Sequence, residues 1–146
     1  MFTKPDQAVV DRIASQCLAV RVRMLNRAIT GLYDDALRPL AVKVSQINIL
    51  VVVAKLGVAQ PGRICDILHM DASTVSRNAE RMIARGWLEV VPDDDARLQP
   101  LRITNEGMAL IRRAAPGWGL ARDRRRQIPR GCSSFGWRPP QSHPDR

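Results

Sequence analysis

The stretch DASTVSRNAERMIARGWLEVVPDDDARLQPLRITNEG, residues 71–107, decides the fold. Its first part places apolar side chains at positions 75, 79, 82 and 83, which is helical spacing and predicts a helix over Ala72–Arg85. Asp71, before this helix, is a favourable N-cap residue, and Gly86 follows the end of the helix. Two short runs, at 88–91 and 98–103, flank a polar turn and predict a β-hairpin. The unit is therefore a helix followed directly by two strands.

Helical spacing predicts further helices on both sides of this unit. They cover Gln7–Tyr33, Gln46–Leu56, Pro61–Met70 and Asn105 to about Ala115. The helix over 46–56 is almost wholly apolar, so we expect it to be buried, with Ser45 as its N-cap and Gly57 at its end. Thr104 caps the last helix, and Pro116 is expected to end it.

Two short helices joined by a tight turn and followed by a hairpin are the order of elements in a winged helix-turn-helix. The predicted fold class is therefore mainly α with a small β-hairpin wing, an α+β arrangement. In such a unit the second helix enters the major groove of DNA. This order makes DNA binding the first function to consider.

The polar face of the second helix, which Asp71 caps, carries residue types that suit the major groove. Its candidate contacts are Ser73, Thr74, Arg77, Asn78 and Arg81. Short hydroxyl side chains allow close approach to the bases, and arginine can bind O6 and N7 of guanine together. Glu80 is expected to hold Arg77 in an i,i+3 pair. The alternative is an ordinary solvated helix surface.

The tip of the hairpin carries a second candidate contact. Arg97 is placed to enter a minor groove, where narrow A·T tracts concentrate negative potential, and Asp95 supports the wing beside it. The alternative for Arg97 is a polar hairpin tip without a ligand. The acidic run at 93–95 indicates a turn rather than a metal site, because aspartate favours turns and no histidine or glutamate accompanies it.

At these residues the sequence resembles the MarR family of transcriptional regulators, over about residues 10–118. The start and exit of the second helix, the Asp-x-Arg wing and the start of the next helix each match the family pattern. The matching residues are Ser73, Thr74, Val75, Arg77 and Asn78, then Arg85 to Leu88, Asp95 to Arg97, and Ile103, Thr104 and Gly107. The stretch from Leu32 to Pro39 resembles the junction of the first two family helices.

The resemblance implies more than the residues themselves show. It implies a homodimer built by helices at 7–36 and 105–118, with a DNA-binding lobe at about 45–104. It implies a repressor that binds a pseudo-palindromic operator in double-stranded DNA. It also implies release from DNA by a ligand, such as a small aromatic or phenolic effector, or by an oxidant.

Cys17 has two interpretations. It lies in the first helix roughly where peroxide-sensing members of the family place their reactive cysteine, and this alternative makes the chain a redox-responsive regulator. Its place on the apolar stripe favours simple packing, since free cysteine is among the most buried residue types.

The positive charge of the chain is unevenly distributed. The formal net charge is +9 over 146 residues. Residues 1–116 hold sixteen Lys and Arg against twelve Asp and Glu, whereas residues 117–146 hold seven Arg against two Asp. Residues 119–146 depart from the family and are rich in Pro, Gly and Arg, which predicts a disordered basic tail. Two interpretations stay open: an out-of-frame reading of the gene, and a genuine tail that adds nonspecific DNA affinity.

Other function classes find little support in the sequence. The longest apolar run, Ile49–Ala54, is six residues, too short to span a bilayer, and residues 1–11 lack the features of a secretory signal, so the chain is expected to be cytoplasmic and without a membrane partner. No catalytic cluster, phosphate loop or metal-ligand spacing indicates an enzyme, a cofactor or a metal. A winged-helix interaction module without sequence-specific DNA binding remains an alternative.

Overall fold

The computed structural model describes residues 4–92 and 99–124. The described elements run in the order α1, α2, a short 3-10 turn, α3, β1, α4, α5, β2, β3, α6. Their bounds are Lys4–Gln16 for α1, Leu18–Leu37 for α2, Arg38–Leu40 for the 3-10 turn, Val44–Leu56 for α3, Val58–Ala59 for β1, Pro61–Leu68 for α4, Ala72–Ala84 for α5, Leu88–Val90 for β2, Leu101–Ile103 for β3 and Asn105–Arg124 for α6.

Helix α3 forms the centre of the core, as its apolar sequence predicts. Ile49, Leu50 and Val53 are fully buried, and α3 contacts α2, α4, α5, α6 and the sheet. The predicted N-cap is wrong, because Lys43 is the N-cap and its backbone N–H donates to Gln46 Oε1 over 3.1 Å. Asp34 Oδ1 accepts from Val44 N over 2.8 Å, so α2 also caps the start of α3.

The sheet is antiparallel in the order β1, β3, β2. Leu88 pairs with Ile103 and Val90 with Leu101, which confirms the predicted hairpin, although both strands are shorter than expected. Strand β1 was not predicted, because a two-residue strand is too short to show alternation. It pairs with β3 and joins α3 to the hairpin.

A single long N-terminal helix was predicted, and this is wrong. The chain breaks at Cys17, whose backbone is extended at φ −68° and ψ 101°, and α2 starts afresh at Leu18. The apolar stripe continues in phase across this one residue, so periodicity alone could not reveal the break. The same stripe is not buried within the chain, since Ile13, Val20 and Met24 are all exposed.

Helix α6 continues through Pro116 to Arg124, so the predicted end at Pro116 and the predicted start of the tail near Gly119 are both wrong. Proline in a helix interior removes a backbone hydrogen bond and crowds the preceding turn. Packing against α2 offsets that cost: Trp118 lies against Tyr33 with ring centroids 4.9 Å apart, and Ala121 is buried. The tail prediction for 125–146 lies outside the described residues.

The end of α5 is joined to the start of α6 by a close backbone contact. A Cβ atom on Gly107 would lie 2.3 Å from the carbonyl oxygen of Trp87, so only glycine fits there. Thr104 caps α6 as predicted: its Oγ1 accepts from Gly107 N over 3.1 Å and donates to the Gly86 carbonyl over 2.6 Å. Gly86 itself has φ +71°, which L side chains rarely adopt.

Within residues 4–92 and 99–124, no helix taken singly has the length and apolar character to cross a membrane. The segments Leu18–Leu40 and Val44–Leu56 are long and apolar enough only when they are taken together, and the chain bends by 81° between them.

Candidate nucleic-acid interface

Helix α5 has one buried face and one polar face. Val75, Ala79 and Met82 pack into the core, as their spacing predicts. On the other face Ser73, Arg77 and Arg81 are exposed, while Thr74 and Asn78 are half-buried. The structure thus brings all five helix residues that were predicted to contact DNA onto one side of α5.

The start of α5 is held by a three-bond cap on Asp71, which confirms the predicted N-cap. Asp71 Oδ1 accepts from Thr74 N over 2.8 Å and from Ser73 Oγ over 2.5 Å, and its Oδ2 accepts from Thr74 Oγ1 over 2.6 Å. The hydroxyl bonds from Ser73 and Thr74, followed by the Thr74 backbone bond, hold the pKa of the Asp71 carboxyl well below its usual range. Asp71 is therefore ionised at neutral pH.

The polar side chains of α5 are ordered along the helix by bonds to its own carbonyls. Arg77 Nε donates to the Ser73 carbonyl over 3.2 Å, and Asn78 Nδ2 donates to the Thr74 carbonyl over 2.8 Å. The predicted pair between Arg77 and Glu80 is wrong. Glu80 Oε1 instead accepts from Ser76 Oγ over 3.3 Å.

Arg85, at the end of α5, is a residue whose role the sequence did not reveal. Its Nη1 donates to the carbonyl of Ala41 over 2.7 Å, and its guanidinium lies 5.0 Å from the centre of the Trp87 ring. Ala41 has φ +51° and lies in the link between α2 and α3. Arg85 therefore connects the end of α5 to that link. The two residues are 44 positions apart, and a single sequence gives no signal for such a contact.

The base of the wing is described but its tip is not. Arg102 Nη1 and Glu89 Oε1 form an exposed pair across β2 and β3 at 3.5 Å. The predicted minor-groove contact Arg97 and its neighbour Asp95 lie in 93–98, outside the described residues. Their roles stay predictions.

Cys17 lies in the break between α1 and α2 and is half-buried. Across the described part of the chain, no group of three or more His, Cys, Asp or Glu residues is placed to hold a metal ion.

Comparison with known proteins shows which proteins this chain is similar to. Residues 42–97, from the start of α3 into the wing, match a family model described as "MarR family". Over these residues the chain is similar to the MarR family. It is 26% identical over 90 residues to the multiple antibiotic resistance protein MarR of Salmonella typhimurium, a match that covers 61% of this chain and 62% of that protein. The MarR of Escherichia coli is 24% identical over the same length. The match thus spans less than two thirds of these relatives.

Solved structures of MarR-type proteins share the fold. The M. tuberculosis transcriptional regulator MOSR in complex with DNA is 26% identical, with a TM-score of 0.69 over 77% of this chain and 83% of that one. A mutant E. coli MarR complexed with operator DNA has a TM-score of 0.69 at 21% identity, over 77% of this chain and 81% of that one. These likenesses bear out the predicted winged-helix fold, and the MarR relatives do not favour the peroxide-sensing alternative at Cys17.

Proposed function

We propose that this MarR-family chain is a transcriptional repressor that binds double-stranded DNA sequence-specifically, with α5 in the major groove. One observation carries the proposal: five polar side chains share the outer face of α5, while its other face is fixed in the core. MOSR and the E. coli MarR mutant, which share the fold, were both solved with DNA.

The geometry of α5 suits this role. A helix about 10–12 Å across fits the major groove. Arg77 and Arg81 are one turn apart on the exposed face, so both guanidinium groups can reach base edges from the same side. A bidentate contact to guanine is worth about 1–3 kcal/mol of discrimination against the wrong base.

The test is DNA binding by anisotropy, with a duplex selected by the protein from a randomised pool and with a scrambled duplex of the same composition. Arg77→Ala and Arg81→Ala should each weaken binding to the selected duplex by about 1–3 kcal/mol, and weaken binding to the scrambled duplex much less. Arg113→Ala, which removes an exposed arginine from α6, is the matched control. Equal losses on both duplexes would contradict base reading by α5.

We also propose that the chain acts as a homodimer joined through α1, α2 and α6. These helices expose a run of large apolar side chains that a soluble protein ordinarily covers. The exposed residues are Val9, Val10, Ile13, Leu18, Val20, Val22, Met24, Leu25 and Leu120. A two-fold dimer would present two copies of α5 and would match a pseudo-palindromic operator.

A small aromatic or phenolic effector is the third part of the proposal. It is supported by Bordetella bronchiseptica BpsR, whose DNA binding is regulated by 6-hydroxynicotinic acid; that structure has a TM-score of 0.66 at 20% identity over 86% of this chain and 84% of that one. Titration of the protein–duplex complex with a series of hydroxylated aromatic acids should release the labelled duplex for at least one member of the series. Aliphatic acids of equal charge are the control. If they also release the duplex, the release is an effect of ionic strength and not of the aromatic ring.

A further inference from the structure

The hydroxyl groups of Ser73 and Thr74 both point their protons at Asp71. A carboxylate can only accept hydrogen bonds, so each hydroxyl must be the donor in its bond to Asp71. The two bonds, at 2.5 and 2.6 Å, leave neither proton available for another partner. Each oxygen keeps lone pairs, which can only accept.

This arrangement divides the outer face of α5 by hydrogen-bonding character. At its N-terminal end Ser73 and Thr74 offer acceptors. Farther along, Arg77 uses its Nε on the Ser73 carbonyl and keeps its terminal guanidinium nitrogens as donors, and Arg81 contributes donors only. The face therefore presents acceptors first and donors afterwards.

The bases differ in what they offer to such a face. In the major groove adenine and cytosine present amino donors at N6 and N4, whereas guanine and thymine present carbonyl acceptors. A hydroxyl whose proton is held by Asp71 can pair with an amino group without any rearrangement. To pair with guanine O6, thymine O4 or a phosphate oxygen, it must first break its bond to a charged acceptor, and such bonds are among the stronger ones in proteins.

The same carboxylate also affects the backbone. The N-terminus of a helix commonly binds phosphate through free N–H groups. Here Asp71 Oδ1 already takes the N–H of Thr74. The negative charge of Asp71 further disfavours a phosphate at this point, so α5 approaches DNA with a start that suits bases and not the backbone.

We infer that Asp71 is a positioning residue that sets base preference without touching DNA: it fixes Ser73 and Thr74 as hydrogen-bond acceptors, so that they select adenine or cytosine over guanine or thymine. The inference rests on the proposed function, since it concerns how the α5 face would read a duplex.

Asp71→Asn tests this with little cost to the helix, because asparagine is as good an N-cap as aspartate. Its Oδ1 can still accept from Thr74 N and Ser73 Oγ, while an NH₂ group replaces Oδ2. Thr74 Oγ1 then accepts from that NH₂, and its proton turns outward. Thr74 becomes a donor while Ser73 is unchanged, so Ser73 serves as an internal control.

The experiment scans every base of a duplex selected by the wild-type protein from a randomised pool. Ser73→Ala and Thr74→Val first identify the base pair that each hydroxyl reads, as the position where discrimination is lost. At both positions the wild type should prefer adenine or cytosine by about tenfold. Replacing a preferred adenine by purine, which lacks the amino group, should cost the same factor. In Asp71→Asn the preference should be lost or reversed at the Thr74 position and kept at the Ser73 position.

Asp66→Asn is the matched control, because it removes one exposed carboxylate from the neighbouring helix α4. It should leave all base preferences unchanged, and thermal melting of each variant shows that the fold is intact. A wild-type preference for guanine or thymine at these positions would overturn the inference, as would identical effects of the two Asp→Asn changes. If Ser73→Ala and Thr74→Val alter no preference while Arg77→Ala does, the inference fails and the proposed function stands. If the protein selects no duplex at all, both fail.

Discussion

The lobe formed by α3, α4, α5 and the sheet differs from the two N-terminal helices in where its apolar residues are buried. In the lobe, α3 buries Ile49, Leu50 and Val53 completely within the chain. In α2, Val20 and Met24 of the apolar stripe are 48% and 40% exposed, and Leu25 near them is 52% exposed. The lobe is therefore complete in one chain, whereas the N-terminal helices have an apolar surface left to cover. Amphipathic spacing predicts that a face will be buried, but not whether its own chain will bury it.

The strongest challenge to this comparison is a charge placed on the exposed apolar surface of α2. Leu25→Asp should abolish the proposed dimer, because burying two unpaired carboxylates at a symmetric interface costs several kcal/mol. We expect light scattering to give a monomer mass at concentrations where the wild type is dimeric. Val90→Asp, at an apolar residue of β2 that is similarly exposed, is the control and should leave the mass unchanged. If Leu25→Asp remains a dimer, this face of α2 is not the interface.

The second prediction concerns the joint between the lobe and α6. Gly107→Ala places a methyl group 2.3 Å from the Trp87 carbonyl and 2.7 Å from Ile103 Cγ1, so backbone must move. We expect the free energy of unfolding to fall by about 1–3 kcal/mol, measured by urea denaturation. Gly31→Ala is the matched control: nothing lies within 4 Å of the added carbon, and a mid-helix alanine should stabilise by about 0.5–1 kcal/mol. Similar effects of the two substitutions would show that the contact at Gly107 is looser than described.

The smallest effect is expected at the link between α5 and the α2–α3 connection. Arg85→Ala removes the bond to the Ala41 carbonyl and the contact with the Trp87 ring, both at an exposed side chain. We expect a loss of about 1 kcal/mol in unfolding free energy. Arg85→Lys keeps the charge but lacks the planar fork, so it should recover only part of that loss. A full recovery would mean that charge alone, and not the bond to Ala41, is what matters.

The sequence predicted the lobe well because its signals are local. An apolar run located α3, helical spacing located α5, Asp71 and Thr104 were identified as caps, and two short runs on either side of a polar turn located the hairpin. The errors arose where tertiary packing overrides a local rule. Pro116 does not end α6, because the packing of Trp118 on Tyr33 and the burial of Ala121 stabilise the helix beyond it.

The candidate interface was predictable as a set of residues but not as a set of bonds. The five polar residues of α5 follow from helical spacing alone. Their hydrogen-bond partners do not, since Glu80 has both Ser76 and Arg77 within reach along the helix and the spacing does not choose between them. The contact of Arg85 with Ala41 depends on how α2 meets α3, which one sequence does not encode in any readable pattern.

The tie between Arg85 and Ala41 also makes α5 a lever. Arg85 lies at the C-terminal end of the helix, and Ser73 lies twelve residues away, about 18 Å at the helical rise of 1.5 Å per residue. A tilt of about 10° around Arg85 would displace Ser73 by about 3 Å, which is the full length of a hydrogen bond. A small rotation of α5 about this end would therefore be largest where the helix carries the hydroxyl acceptors, while Arg81, four residues from Arg85, would move by about a third as much.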